Sequence, residues 1–416
     1  MLPPVLEIYV VWHPGDGEGL TIAKEFVEHF HGTTFTGLIG GAVEVFIRSE
    51  GWCSPDDAPR PIPTTKSPLP NGLDQAKFTA IVPVIGTEMA AAVESSSSSW
   101  RNYIEELTCR RREAPDRIGL FPYLMDQGAT NNTVLGKLLG PYHRIAASGP
   151  DAEGETHMTL RCRDLAQGIA QWLSSADDKR LTVFLSHTKR ASLGDEEDTT
   201  ALVALVRVVI ADTHLREFFD ASDLQPGTDW DAELRSKAST SALLGIRTDL
   251  YPSREWCQRE ILIAKRQGMP VIIIDAPGKG EERGSFLMDH VPRIPVHMEH
   301  GHWHKKDVYQ ALNLLVDECL KRALWIHQRE LSQVRPELGI AWWAPHAPEP
   351  LTFVHWFENA RQAGTLPPEG SDVRVLHPDP PLGPDERLVL EEVLSLARPG
   401  AKLDIMTPRL LAARGG

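Results

Sequence analysis

The stretch SREWCQREILIAK, residues 253–265, reads as a helix with two glutamates, and their neighbours at helical spacing differ. Glu255 has Arg259 four residues on, an ordinary surface pair. Glu260 has Trp256, Cys257, Ile263 and Ala264 at three and four residues, all apolar. A carboxylate on an apolar face acts strongly on nearby charge because water is excluded. It can stabilise positive charge that develops on a reacting group, and a tryptophan one turn away offers a wall for a flat leaving group. The plainer alternative is an ion pair between Glu260 and a lysine or arginine elsewhere in the fold.

A helix with one apolar stripe needs a sheet to lie on, and the flanking sequence supplies one. LTVFLSH, LREFFDA, SALLGIRTD, PVIIID and RIPVHM read as strands. DTTALVALVRVVIADT, the short WDAELRSKAS, the Glu260 helix and DVYQALNLLVDECLKRALWIHQ read as helices. Gly268 and Pro270 stop the Glu260 helix. Ser186, His187, Thr188 and Lys189 close the first strand, at the edge where open α/β sheets bind ligands. Apolar strands alternating with helices mean a parallel sheet covered on both faces. The same order occurs earlier, from VLEIYVVWH through AVEVFIRS and KFTAIVPVIG to DLAQGIAQWLSS. Six prolines between residues 49 and 77 mark a long loop there. The expected architecture is therefore two successive α/β units, residues 1–175 and 180–330. A smaller β-α-β segment, residues 331–416, follows, with DVRVLHP, GPDERLVLEEVLSLA and KLDIMTP as its elements.

Composition narrows the partners. The chain has 416 residues, 42% hydrophobic and 24% charged, with a net charge of -14. That charge repels nucleic acid and anionic lipid, so neither is expected as a partner. No apolar run approaches a spanning helix of roughly 18 residues, and the start lacks the basic region of a signal peptide. Five scattered cysteines without a CxxC fit a reducing cytoplasm.

Four segments in order carry a resemblance: VFLSHTKR at 183–190, FFDASDLQPGTDW at 218–230, SALLGIRTDLYPSREWCQRE at 241–260 and PVIIID at 270–275. Together they resemble the bacterial form of the TIR (Toll/interleukin-1 receptor) domain, over about residues 180–325. The resemblance implies a flavodoxin-like fold. It also implies cleavage of NAD+ at the nicotinamide–ribose bond, with NAD+ as substrate and no further cofactor. The family's catalytic glutamate lies four residues after a tryptophan, which puts it on Glu260 with Trp256. Ser186, His187, Thr188 and Lys189 then lie beside the nucleotide. Asp220, Asp223 and Trp230 flank the BB loop, about residues 221–229, through which similar domains contact one another and complete a neighbour's site. The implied activity is an NAD+ hydrolase or cyclase switched on by self-association, by a partner protein or by a nucleotide signal, in bacterial anti-phage defence. A non-enzymatic TIR adaptor is the alternative. A nucleoside 2-deoxyribosyltransferase-like enzyme, with the same sheet type and a glutamate, is a third, which FFDASDLQPG argues against. Arg247, where many members carry serine, and His187, where a tyrosine is common, depart from the pattern.

The first unit resembles the family only in element order. Trp100 is followed four residues later by Ile104, while Glu105 and Glu106 have Arg101 and Arg110 at pairing distance. That unit is expected to be non-catalytic, an assembly or sensing module. HPGDGEGL is read as a plain loop, because Asp16 and Glu18 would repel phosphate. PGKGEERGS lacks phosphate-loop spacing and is read as flexible. VHMEHGHWHKKD matches no helical or knuckle spacing for zinc, so no metal site is expected there.

Overall fold

The computed structural model describes residues 4–32, 34–35, 43–51, 54, 57–64, 75–142, 144–146, 154–174, 181–188, 196–213, 215–218, 241–281, 284–332, 336–378 and 380–414. By internal contacts the chain forms two compact units: residues 1–172 with 326–332, and residues 173–325 with 333–416.

The first unit runs β1 (Leu6–Trp12), α1 (Gly19–Phe30), β2 (Val43–Arg48), β3 (Phe78–Ile85), α2 (Thr87–Glu94), α3 (Ser99–Glu113), β4 (Ile118–Leu120), β5 (Tyr123–Leu124), α4 (Val134–Leu139), β6 (Ile145–Ala146) and α5 (Gly154–Leu173). The sheet order is β2-β1-β3-β5-β6, with β4 also on β3, and every pairing is parallel. β1 and β3 are buried along their whole lengths, as central strands covered on both faces must be. α1 buries Ile22, Ala23, Phe26 and Phe30, one stripe at helical spacing.

The second unit repeats this topology. It runs β7 (Thr182–His187), α6 (Glu196–Ala211), β8 (Arg216–Phe218), β9 (Ser241–Arg247), α7 (Glu255–Arg266), β10 (Val271–Asp275), β11 (Arg293–Pro295), a hairpin of β12 (Met298–Glu299) and β13 (His302–Trp303), and α8 (Lys305–Ser332), whose last seven residues belong to the first unit. Its sheet order is β11-β10-β9-β7-β8, again all parallel. Counted from its first strand, the second sheet has the flavodoxin-like order 2-1-3-4-5, and the first sheet has the same order once β4 and β5, which both pair with β3, are counted as one strand. α7 packs Cys257, Ile261 and Ala264 into a core with Phe184, Leu243, Tyr251 and Ile273. The expected short helix at WDAELRSKAS lies outside the described residues.

The C-terminal segment packs within the second unit. β14 (Trp342–Trp343), β15 (Val373–Leu376) and β16 (Leu403–Met406) form a parallel sheet, joined through α9 (Pro350–Ala363) and α10 (Pro384–Ala397); α11 (Pro408–Ala413) ends the chain. The expected β15-α10-β16 piece is extended by β14 and α9. It has its own core of Phe353, Phe357, Val375, Leu390, Leu394 and Ile405. Glu349 caps α9, its carboxylate taking the Thr352 N–H while the Thr352 hydroxyl takes the Glu349 N–H, and Pro350 opens the helix.

No described helix is long and apolar enough to cross a membrane. Among the described residues, no disulfide joins Cys109, Cys162, Cys257 or Cys319.

Candidate functional site

In the order 2-1-3-4-5, chain connections leave the first and third strands in opposite directions, and the crevice between their carboxyl ends is where ligands bind. In the second unit this point lies between β7 and β9. Ser186 stands opposite Gly245 and His187 opposite Ile246 there.

Glu260 reaches this point from α7. Its residue is only 5% exposed, on the helix face shared with Cys257, Ile261 and Ala264, so the apolar placement read from spacing holds. Ser186 donates its hydroxyl hydrogen to Glu260 Oε2. The Tyr251 hydroxyl lies 2.6 Å from Ser186 Oγ, and because Ser186 spends its one hydrogen on the carboxylate, Tyr251 is the donor there. The result is a buried relay from Tyr251 through Ser186 to Glu260. Gly245 makes room for it: a Cβ would lie 2.6 Å from Ile273 Cδ1 and 3.0 Å from the Tyr251 hydroxyl.

Burial, with Cys257 and Glu260 close by, pushes the Tyr251 phenol well above its ordinary pKa, so it stays a protonated donor. Burial, reinforced by Glu260, pushes the Cys257 thiol up to about 12, so it is a packing group and not a nucleophile. The Cys257 thiol points at the His187 carbonyl, 3.9 Å away. His187 Nδ1 lies 3.1 Å from the Thr188 carbonyl, and the Thr188 and Thr248 hydroxyls meet at 3.3 Å, tying the end of β7 to the end of β9.

Trp256 is 60% exposed, with the Arg259 guanidinium 5.5 Å from its ring centre. It stands in the first turn of α7. Lys189, Asp220, Asp223, Trp230 and the BB loop lie outside the described residues. The residues brought together are therefore Ser186 and Glu260, with Thr188 alongside. Tyr251 and Thr248 join them without having been expected, and only the position of Tyr251 just ahead of the Glu260 helix hinted at its part.

Arg247 is committed elsewhere. Its Nη1 is 2.8 Å from Asp275 Oδ1 and its Nε donates to Glu281. The hydrogen bond to Glu281 holds its pKa above even the ordinary arginine value. Asp249 organises the next loop: its carboxylate accepts from the N–H groups of Gly278, Lys279 and Gly280 at 2.8–3.1 Å. The start of PGKGEERGS, read as flexible, is thus pinned.

The first unit differs at the matching point. There Val11 faces Pro83 across β1 and β3. Asp16 is 7% exposed and accepts from the N–H groups of Glu88 and Met89 at 2.9 and 3.0 Å, capping α2. HPGDGEGL is a loop up to the start of α1, as read, and its Asp16 serves as that cap. Ile104 is fully buried, and Arg101–Glu105 and Arg110–Glu106 pair at 2.9 and 2.8 Å on the helix surface, as their spacing requires. No family model matches the chain, and no curated protein matches it closely enough to count as a relative.

Proposed function

We propose that the second unit is a TIR-type enzyme that cleaves the nicotinamide–ribose bond of NAD+, with Glu260 as its catalytic carboxylate. The observation that carries this reading is a buried carboxylate at the β7–β9 switch point, oriented by two hydroxyls in series. Loss of nicotinamide leaves an oxocarbenium-like charge on the ribose, and a carboxylate in a low-dielectric setting stabilises that charge more strongly than water does. Ser186 and Tyr251 fix its orientation in the resting state. When NAD+ binds, a ribose hydroxyl takes the place of the Ser186 hydroxyl on Glu260. Water then captures the ribosyl cation to give ADP-ribose, nicotinamide and a proton, or an internal nucleophile closes a cyclic product. Activation by self-association, with a partner protein or nucleotide as trigger, belongs to the same proposal, as does a role in anti-phage defence. The support for these last points is the resemblance alone.

The adaptor reading has one observation in its favour: Glu260 is almost wholly enclosed, its carboxylate satisfied from within. The test separates the two. Purified protein is incubated with NAD+ at low and high protein concentration and the products are resolved by chromatography. An enzyme releases nicotinamide, faster per chain as concentration rises. Glu260→Gln keeps the fold and loses roughly 10²–10⁴ of the turnover. Self-association without turnover at any concentration would establish the adaptor. Undiminished turnover in folded Glu260→Gln would refute the site.

A further inference from the structure

The histidine-rich stretch VHMEHGHWHKKD folds as a hairpin that runs into a helix. β12 and β13 pair antiparallel, Met298 with Trp303 and Glu299 with His302. The turn between them is made by His300 and Gly301, at φ +50 and +79, the two left-handed residues that a tight two-residue hairpin needs. This reversal brings His304 back beside His297: the His304 N–H donates to the His297 carbonyl at 3.0 Å, and the two rings lie 6.2 Å apart. Asp307, in the first turn of α8, faces both. Its Oδ2 is 2.9 Å from the His297 N–H and 2.9 Å from His297 Nδ1.

The ligand atoms of His297, His304 and Asp307 all lie within 4.8 Å of one another. Glu299 Oε2, 3.2 Å from His304 Nε2, adds an oxygen donor at the edge of the group. Two imidazoles and a carboxylate from three different segments thus converge on one point. The sequence spacing hid this, because residues 297 and 304 become neighbours only across a chain reversal.

We propose that His297, His304 and Asp307, with Glu299 beside them, form a binding site for a divalent transition-metal ion of the zinc class. Bonds of about 2.0–2.2 Å to nitrogen and oxygen need donor atoms roughly 3.3–3.5 Å apart in a tetrahedron. The side chains are partly or largely exposed, so rotation alone brings them there: His297 is 66% exposed, His304 41% and Asp307 16%. Imidazole with carboxylate suits zinc, nickel or copper, whereas magnesium and calcium call for a shell of oxygens. The site's work is mechanical. Strands of two residues are marginal by themselves, and an ion bound here clasps both ends of the hairpin to the first turn of α8. Lys305, in that same turn, pairs with Asp212 just beyond α6, at 3.0 Å, so the clasp also fixes the hairpin region against the body of the unit.

The test uses the full chain, freed of metal with a chelator and titrated calorimetrically with zinc chloride and, in parallel, magnesium chloride. About one equivalent of zinc binds, and magnesium gives no saturable heat. His304→Ala and Asp307→Asn each weaken zinc binding about tenfold or more, while His355→Ala, a histidine on α9, leaves it unchanged. Zinc raises the urea midpoint of the wild type but not that of His297→Gln, a surface change that does not threaten folding. No saturable zinc uptake, or uptake that survives both His304→Ala and Asp307→Asn, overturns the proposal. None of these readouts depends on NAD+ cleavage.

Discussion

Lys265→Met should destabilise the second unit by about 3–5 kcal/mol, the range for breaking a buried ion pair from one side. Lys265 lies on α7, one residue from the end of the helix that carries Glu260. Its ammonium is 2.8 and 2.9 Å from the two Glu349 carboxylate oxygens and 2.6 Å from the Asp289 carbonyl. The two side chains are 7% and 12% exposed, so solvent screens the pair little. Burial pulls the lysine pKa down while Glu349 pushes it back up. Methionine fills the stem's volume but leaves the Glu349 carboxylate enclosed without its cation, and that is the source of the cost. Replacing both partners, Lys265→Met with Glu349→Leu, removes the stranded charge. What remains is mainly the lost α9 cap, about 1 kcal/mol. The double variant should therefore be more stable than Lys265→Met alone. Urea unfolding followed by tryptophan fluorescence measures this, because Trp342 stacks on Trp356 at 5.1 Å and Trp325 meets Trp343 at 5.3 Å in the same unit. A cost below about 1 kcal/mol for Lys265→Met, or a double variant weaker than either single one, would refute the buried-pair reasoning.

The remaining predictions test the relay, a half-buried histidine and the first unit. Tyr251→Phe removes the hydroxyl that donates to Ser186; stability should fall by about 1 kcal/mol and NAD+ cleavage severalfold, and a variant unchanged in both would show that the relay orients nothing. His346 has its Nε2 sealed from solvent, and burial holds its pKa below the ordinary histidine value. Its stabilising contribution is complete above about pH 6.5, the unfolded value, and is lost as pH falls from there towards the folded value. Urea midpoints measured between pH 8 and 5 should therefore drop less steeply in His346→Gln than in wild type, and parallel curves would dismiss the titration. Glu105→Gln with Glu106→Gln removes two exposed i,i+4 pairs worth about 0.2–0.5 kcal/mol each and should leave NAD+ cleavage within about threefold of wild type, a change in barrier of less than ~1 kcal/mol; a larger loss would draw the first unit into the chemistry.

What the sequence revealed and what it hid follow from one distinction, whether partners are near in the chain. The apolar face around Glu260 is set by residues within one helical turn, so spacing alone exposed it. The end of β7 was legible because the apolar run LTVFL gives way there to Ser186 and His187. Tyr251 was not, because the hydroxyl it serves lies 65 residues away in the chain. α9 escaped notice because Pro345, Pro348 and Pro350 suggest a loop, yet the last of them occupies the first helical position, where proline costs no hydrogen bond. Ser186 and Gly245 were both visible as residues, but only strand register makes one the opening through which the other's hydroxyl meets Tyr251.

The two units show how one topology can be set to different ends. A flavodoxin-like sheet offers backbone N–H groups near the carboxyl ends of its strands, and such groups attract anions. In the first unit Asp16 takes two of them, and in the second Asp249 takes three. Each is a carboxylate from the chain itself, so these described cradles are filled from within and a phosphate would have to displace a fixed charge. The difference between the units then rests on the first strand. Val11 and Pro83 face each other at that point in the first unit, whereas in the second Ser186 and Gly245 do, with a hydroxyl relay that ends on Glu260. Ile104, in the helix position four residues after Trp100, could not answer such a relay even if Val11 were a serine. Recreating the relay in the first unit would take changes on two strands and a helix together, which is why the chemistry proposed for this chain is assigned to the second unit alone.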